Sequence, residues 1–197
     1  MKKPIALLVA GMQVDHSSLG SLGGVADRLA GYIARQVSKA TLCIGVREWH
    51  PPDHVSFAAR HMWRKPGQYM ALTDHMQMLW PMHCVRDSFG ARWVPPLETV
   101  SWDRVVDVGM RPEVDHYSAF EEADGQSTGL IAWLAQQRIG LLVLAGLPLD
   151  GLLGHTFEAA RSHGFDVRLL RHACAPLQSV EIPDFWQQQS GYWIDQL

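Results

Sequence analysis

The sequence predicts a three-layer α/β fold, a mostly parallel central sheet with helices on both faces, and two observations carry that expectation. Short apolar runs recur along the chain, and amphipathic stretches fall between them, the alternation that produces βαβ units. The runs are Ile5–Ala10, Thr41–Val46, Arg104–Val108, Leu141–Ala145 and Asp166–Leu170. Each has the length of a buried strand. Between the first two, residues 24–39 place Val25, Leu29, Tyr32, Ile33 and Val37 at helical spacing. Ser127 or Thr128 can cap a helix through Leu130, Ile131 and Leu134. Residues 152–163 form another, with Gly164 suited to its C-terminal cap.

A length of 197 residues fits one domain spanning 1–197, and a composition 47% hydrophobic and 19% charged can build a real core. The Pro95-Pro96 pair lies inside the alternating pattern and is not read as a boundary, and no repeat or low-complexity tract stands out. A net charge of −3 without a run of lysines or arginines gives no field for a phosphate backbone, so no nucleic-acid partner is expected. Met1-Lys2-Lys3 before Ile5–Val9 has the outline of a secretion leader, but the apolar run is short and no Ala-x-Ala site follows, so a first strand is expected instead. Nowhere do about 18 apolar residues run together, and no membrane partner is expected. Cys43, Cys84 and Cys174 are too few and too scattered for a disulfide framework, which points to a reducing cytoplasm.

The segment from Pro51 to Val100 breaks the alternation. It holds six of the eleven prolines and, counting His50 at its edge, five of the ten histidines. Long irregular segments in compact domains tend to carry function. At its start, Glu48 and His50 stand two apart at the C-terminal end of an expected strand, so their side chains point the same way, at the edge where open α/β sheets bind ligands. His83 follows in Leu79-Trp80-Pro81-Met82-His83-Cys84. One carboxylate and two imidazoles suit a divalent metal, zinc first, with iron(II) or manganese as alternatives. Taken singly, each histidine could equally be a polar loop residue with ordinary hydrogen bonds.

Several motifs in order carry a resemblance: Ala6-Leu7-Leu8-Val9 through Met12-Gln13 and Asp15; Glu48-Trp49-His50-Pro51 with His54-Val55-Ser56-Phe57; Leu79-Trp80-Pro81 with His83-Cys84-Val85; and Pro112-Glu113-Val114-Asp115 with Tyr117-Ser118-Ala119-Phe120. Through them the chain resembles the nicotinamidases of the isochorismatase-like hydrolase superfamily over nearly its whole length. The resemblance implies that fold, a metal on Glu48 (in place of an aspartate), His50 and His83, with His54 as a further candidate, and a ligand pocket near His16, Trp80 and Tyr117. It also implies an amidase in which an aspartate deprotonates a cysteine that attacks a carboxamide, assisted by a lysine, since a thiol is a strong nucleophile once ionised.

At the positions matching those three groups this sequence carries Gly11, Val108 and Leu152. No other register recovers the lysine or the cysteine, because no lysine follows Lys65 and no cysteine lies between Cys84 and Cys174, and by the resemblance Asp15 matches a different aspartate, four residues downstream. The three are expected to form an apolar lining. Cys84, beside a metal histidine, is expected to be a small buried hydrophobe. Two functions follow as expectations. The first is a catalytically inactive homologue binding a metal and a small aromatic or amide ligand, or a protein partner, homo-oligomers included. The second is a hydrolase using metal-bound water, with Asp15, His54, Asp150 or His155 as base.

Overall fold

The computed structural model of the protein describes residues 4–72 and 76–197. Met1-Lys2-Lys3, the basic flank of the leader-like start, lies outside the described residues.

The chain opens with β1 (Ile5–Ala10), followed by helix α1 (Ala26–Val37) and β2 (Leu42–Glu48). Among its described residues, the irregular segment contributes two single 3-10 turns, Ala58–Arg60 and Leu97–Thr99, and a small antiparallel pair, β3 (Tyr69–Ala71) with β4 (Met76–Met78). Regular alternation resumes with β5 (Arg104–Val108), α2 (Leu130–Gln136), β6 (Leu141–Gly146), α3 (Leu152–Ser162) and β7 (Val167–Cys174), and β8 (Trp193–Ile194) closes it. Six strands form one sheet in the order β5-β2-β1-β6-β7-β8, and every pairing in it is parallel.

Side chains of β1 alternate between two cores, as the period of two in a strand requires. Ala6, Leu8 and Ala10 pack with Leu130 and Leu134 of α2 and with Leu153 and Phe157 of α3. Leu7 and Val9 pack on the other face with Ala26, Leu29 and Ile33 of α1. Both faces of β1 are buried, which is why its sequence reads as a continuous apolar run instead of alternating. Leu97, just past Pro95-Pro96, joins the α1-side core, so that proline pair interrupts no packing. No helix among the described residues is long and apolar enough to cross a membrane.

Three expected boundaries shift. β2 extends to Glu48, placing that carboxylate in the strand's last residue instead of beyond it. β7 runs four residues past Leu170, its last residue, Cys174, pairing with Gly146 of β6 after a shift of register. The α2 cap differs too: Gly129, at φ 78°, occupies the cap position, while Thr128 Oγ1 donates to the Ala119 carbonyl at 2.7 Å. Gly164, at φ 79°, ends α3 as expected from its place after the periodic residues.

Candidate metal centre

β1 has β2 on one side and β6 on the other, so successive connections leave it in opposite directions and open a crevice at the strands' C-terminal ends. Three segments meet there through backbone bonds. Gln13 clamps the end of β2, accepting from the Glu48 amide at 2.8 Å and donating to the Glu48 carbonyl at 2.7 Å. Just beyond, the His50 amide donates to the Cys84 carbonyl at 3.0 Å, laying the His83 segment alongside. Asp15 then joins that segment to the loop after β1, its Oδ2 accepting from the Cys84 amide at 2.7 Å.

The result is one buried carboxylate ringed by imidazoles. Glu48 Oε2 lies 2.9 Å from His83 Nε2, 3.4 Å from His50 Nε2 and 3.4 Å from His16 Nε2. Each of these rings has its other nitrogen on a backbone carbonyl: His16 Nδ1 on Gly11 at 2.6 Å, His50 Nδ1 on Gly109 at 2.9 Å and His83 Nδ1 on Pro81 at 2.9 Å. A carbonyl only accepts, so each Nδ1 carries the proton, and in the neutral ring each Nε2 presents a lone pair to the carboxylate. Lone pairs facing an anion repel unless a proton or a metal ion stands among them. Glu48 Oε2 and His50 Nε2 are both buried with no hydrogen-bond partner of acceptable geometry. Such orphaned atoms are costly, and a cation bound between them removes the cost.

Electrostatics point the same way. Burial alone raises the Glu48 carboxyl, but His16 beside it, with His50 and His83, holds it well below the ordinary carboxylate range. Burial alone lowers the His16 imidazole, but Cys84 and Glu48 raise it well above its ordinary value.

The site residues read from sequence fall into distinct places. His50 and His83 both approach Glu48, and the tightest group of donor atoms is His16, Glu48 and His83. His16, expected near the ligand pocket, borders the cavity beside this cluster but is only 1% exposed, and with Glu48 and His83 it offers donor atoms within 4.8 Å of one another. His54 stacks on His50 with ring centroids 4.3 Å apart, but both its nitrogens are engaged, Nδ1 with Ser56 Oγ at 2.7 Å and Nε2 with the Val114 carbonyl at 3.2 Å, so no lone pair reaches the cluster. Asp15, weighed as a base, is occupied in holding the Cys84 amide. Cys84 is fully buried, and burial pushes its thiol up to about 12.

Sequence reasoning missed His116. Its Nε2 lies 3.7 Å from Glu48 Oε1, and its Nδ1 lies 3.2 Å from Asp115 Oδ1. Burial is outweighed by Asp115, then Glu48, and the His116 imidazole is raised to about 9. This Asp115–His116 pair faces the carboxylate oxygen that the other three imidazoles leave free, as outer partners of a metal carboxylate do. Its position next to Tyr117 in a quoted motif was the available signal.

A cavity of about 180 Å³ opens beside the cluster, bordered by His16, Glu48, His50 and His83 on one side and by Trp80, Tyr117, Leu152 and His155 on another. Tyr117 and His155 stack with centroids 4.4 Å apart and planes 7° apart. Asp150, another candidate base, is exposed and does not border this cavity.

Gly11, Val108 and Leu152 do not form the common apolar lining expected of them. Leu152 alone borders the cavity, at the first turn of α3. Val108 is buried in the core with Val106 and Ala119, and its carbonyl accepts from the Trp49 amide at 2.9 Å. Gly11 sits at φ 63°, and a Cβ there would press directly on the Leu147 carbonyl oxygen.

The comparisons with known proteins agree with this geometry. The isochorismatase-domain profile matches residues 6–181. A nicotinamidase of Escherichia coli is 34% identical over 182 residues, covering 87% of this chain and 83% of its own. The solved nicotinamidase/pyrazinamidase of Acinetobacter baumanii superposes with a TM-score of 0.85 at 27% identity, covering 97% of this chain and 92% of that one. An L. infantum protein solved in complex with nicotinate gives 0.77 at 29% identity, covering 96% and 87%. The chain belongs to the isochorismatase family, and within it to the branch that resembles the nicotinamidases.

Proposed function

We propose that this protein binds a divalent metal at Glu48 and its histidines, and a small planar amide or acid in the adjoining cavity, without hydrolysing an amide through a thiol. The observation that carries this reading is Leu152. It borders the cavity at the head of α3, the place that corresponds by motif to the relatives' cysteine, and no cysteine or lysine is among the described residues bordering that cavity. A nucleophile, its base and its cation act as a unit, so with none of them present the thiol route has nothing to start from. Three imidazoles and a carboxylate suit zinc, with iron(II) and manganese as alternatives. Such an ion supplies positive charge that neutralises Glu48 and ties the β1, β2 and His83 segments together. The nicotinate bound by the L. infantum neighbour and the flat Tyr117–His155 stack support a single-ring aromatic ligand. Three free, buried cysteines support a reducing, cytoplasmic setting.

The second reading, hydrolysis by metal-bound water, draws on the Asp115–His116 pair and on His155, which face the same cavity. One experiment separates the two. Protein loaded in turn with zinc, iron(II) or manganese is incubated with nicotinamide and assayed for ammonia, while calorimetry follows nicotinamide and nicotinate binding. Binding without ammonia above the buffer control is expected. Ammonia release that survives Leu152→Ala but is lost in His83→Ala would establish the second reading in its place.

A further inference from the structure

His16 approaches the carboxylate as closely as His50 does, both at 3.4 Å. We propose that His16 is the fourth protein ligand of a closed metal centre, completed by Glu48, His50 and His83, in which no coordination position is left for water or substrate. The proposal rests on the reading that this cluster takes a divalent ion and adds what that ion's surroundings are.

Four observations lead to it. First, Glu48 Oε2 lies 2.9 to 3.4 Å from three separate Nε2 atoms. The edge of a tetrahedron built on bonds of 2.0 to 2.1 Å is about 3.3 to 3.4 Å, close to these carboxylate spacings. Donor atoms of His16, Glu48 and His83 already lie within 4.8 Å of one another, and His50, 3.4 Å from the carboxylate, closes the centre by moving in toward them. Second, each imidazole is fixed with Nε2 inward by its Nδ1 bond to a carbonyl, and His16 has the shortest of these, at 2.6 Å. A ring merely filling space needs no such orientation. Third, the backbone is shaped to admit these rings. Gly11 and Gly109 both hold left-handed conformations, at φ 63° and 65°. A Cβ on Gly109 would enter the His50 ring, and one on Gly11 would stand 3.3 Å from His16 Nδ1. Fourth, the remaining Glu48 oxygen faces His116 and not the solvent, so the carboxylate's second side is also occupied.

Zinc with four protein ligands is the pattern of a structural centre, whereas catalytic centres keep one position open. A closed centre cannot present bound water to a carbonyl in the cavity. It instead holds the floor of that cavity, joining the loop after β1, the end of β2 and the His83 segment. The ligand then meets a rigid wall of imidazoles, and its recognition falls to Trp80, Tyr117 and His155.

The test uses the whole protein, stripped of metal and reloaded with cobalt(II) or zinc. Cobalt in a four-coordinate tetrahedral site absorbs strongly in the visible, and in a water-filled six-coordinate site weakly. The wild-type cobalt protein should give the strong tetrahedral spectrum, and X-ray absorption on the zinc protein should count three imidazoles. His16→Ala and the milder His16→Gln should each lose one imidazole, convert the spectrum toward higher coordination with water, and weaken zinc binding at least about tenfold, as loss even of an outer partner can do. A weak, water-rich spectrum in the wild type, or an imidazole count unchanged by either variant, overturns the closed centre while leaving metal binding intact. Failure to take up either metal overturns the metal reading and this proposal together. The wild-type spectrum decides the matter even if both variants unfold.

Discussion

His16 donates its Nδ1 proton to the carbonyl of Gly11 at 2.6 Å, and Gly11, at φ 63°, has no side chain to obstruct the ring. The two residues form one device: the carbonyl aims the imidazole at Glu48, and the missing Cβ lets the Leu147 carbonyl close in behind. The glycine therefore shapes the cluster by what it leaves out.

Gly11→Ala should accordingly destabilise the fold and weaken metal binding together. The left-handed conformation costs a non-glycine residue about 1–2 kcal/mol, and the new methyl meets backbone oxygen, which cannot swing aside as a side chain could. Urea denaturation of the metal-free protein measures the first effect and zinc titration the second. Stability and affinity both within error of wild type would refute the coupling.

Metal removal should lower the melting temperature measurably. An ion bound only by the folded state stabilises by about 2.7 kcal/mol at a hundredfold excess over Kd, and 1 kcal/mol moves the midpoint of a domain this size by about 2–4 °C. Chelation should thus cost the protein several degrees, restored by zinc. Identical melting curves with chelator and with excess zinc would contradict the cluster's role.

The sequence disclosed much of this site and most of its sheet, for physical reasons that can be named. β1, β2 and β6 are buried on both faces and so stand out as apolar runs, whereas β8, only two residues long, has no pattern to show. Glu48 and His50 share a strand's alternation, which fixes their common direction. His83 was reached through its motif. His16 was placed at the ligand pocket, which it borders, but not beside Glu48, and His116 was not singled out, because their approach to the end of β2 joins segments far apart in sequence. Nor can spacing reveal that His54 has both nitrogens engaged: Ser56 is two residues away, but Val114 reaches it only when the Pro112 segment folds over.

His54 sets a pH dependence. Burial, then the neighbouring His50, lowers its imidazole to about 4, so it stays neutral in the folded protein while the unfolded chain takes up a proton near the ordinary value of 6.5. Its contribution is fully present above pH 6.5 and is lost as pH falls from 6.5 toward 4, to a limit of about 3 kcal/mol. Denaturation of metal-free protein at pH 7 and pH 5 should show wild type losing more stability than His54→Gln. Equal losses in the two proteins would remove His54 from the account.

The last prediction concerns thiols, and it separates a position fit for a nucleophile from a protein that lacks one. Burial raises the native cysteines, Cys43 to about 11 and Cys84 and Cys174 to about 12. At pH 8 only about one in a thousand or fewer of each is thiolate, so the folded wild type should resist iodoacetamide and release three reactive thiols only on unfolding. Leu152→Cys places a smaller side chain at the first turn of α3, bordering the cavity, where the helix N-terminus favours an anion. That single new thiol should alkylate much faster than any native one. Adding Gly11→Asp and Val108→Lys as well should undo the gain: the aspartate inherits the strain at Gly11, and the lysine enters a fully buried position among Val106 and Ala119 without a partner. Mass spectrometry of the alkylated proteins, with circular dichroism to verify folding, reads both results. A folded triple variant whose introduced thiol reacts below neutral pH would show that three substitutions suffice to restore the thiol chemistry, and that the Gly11–His16 device does not stand in the way.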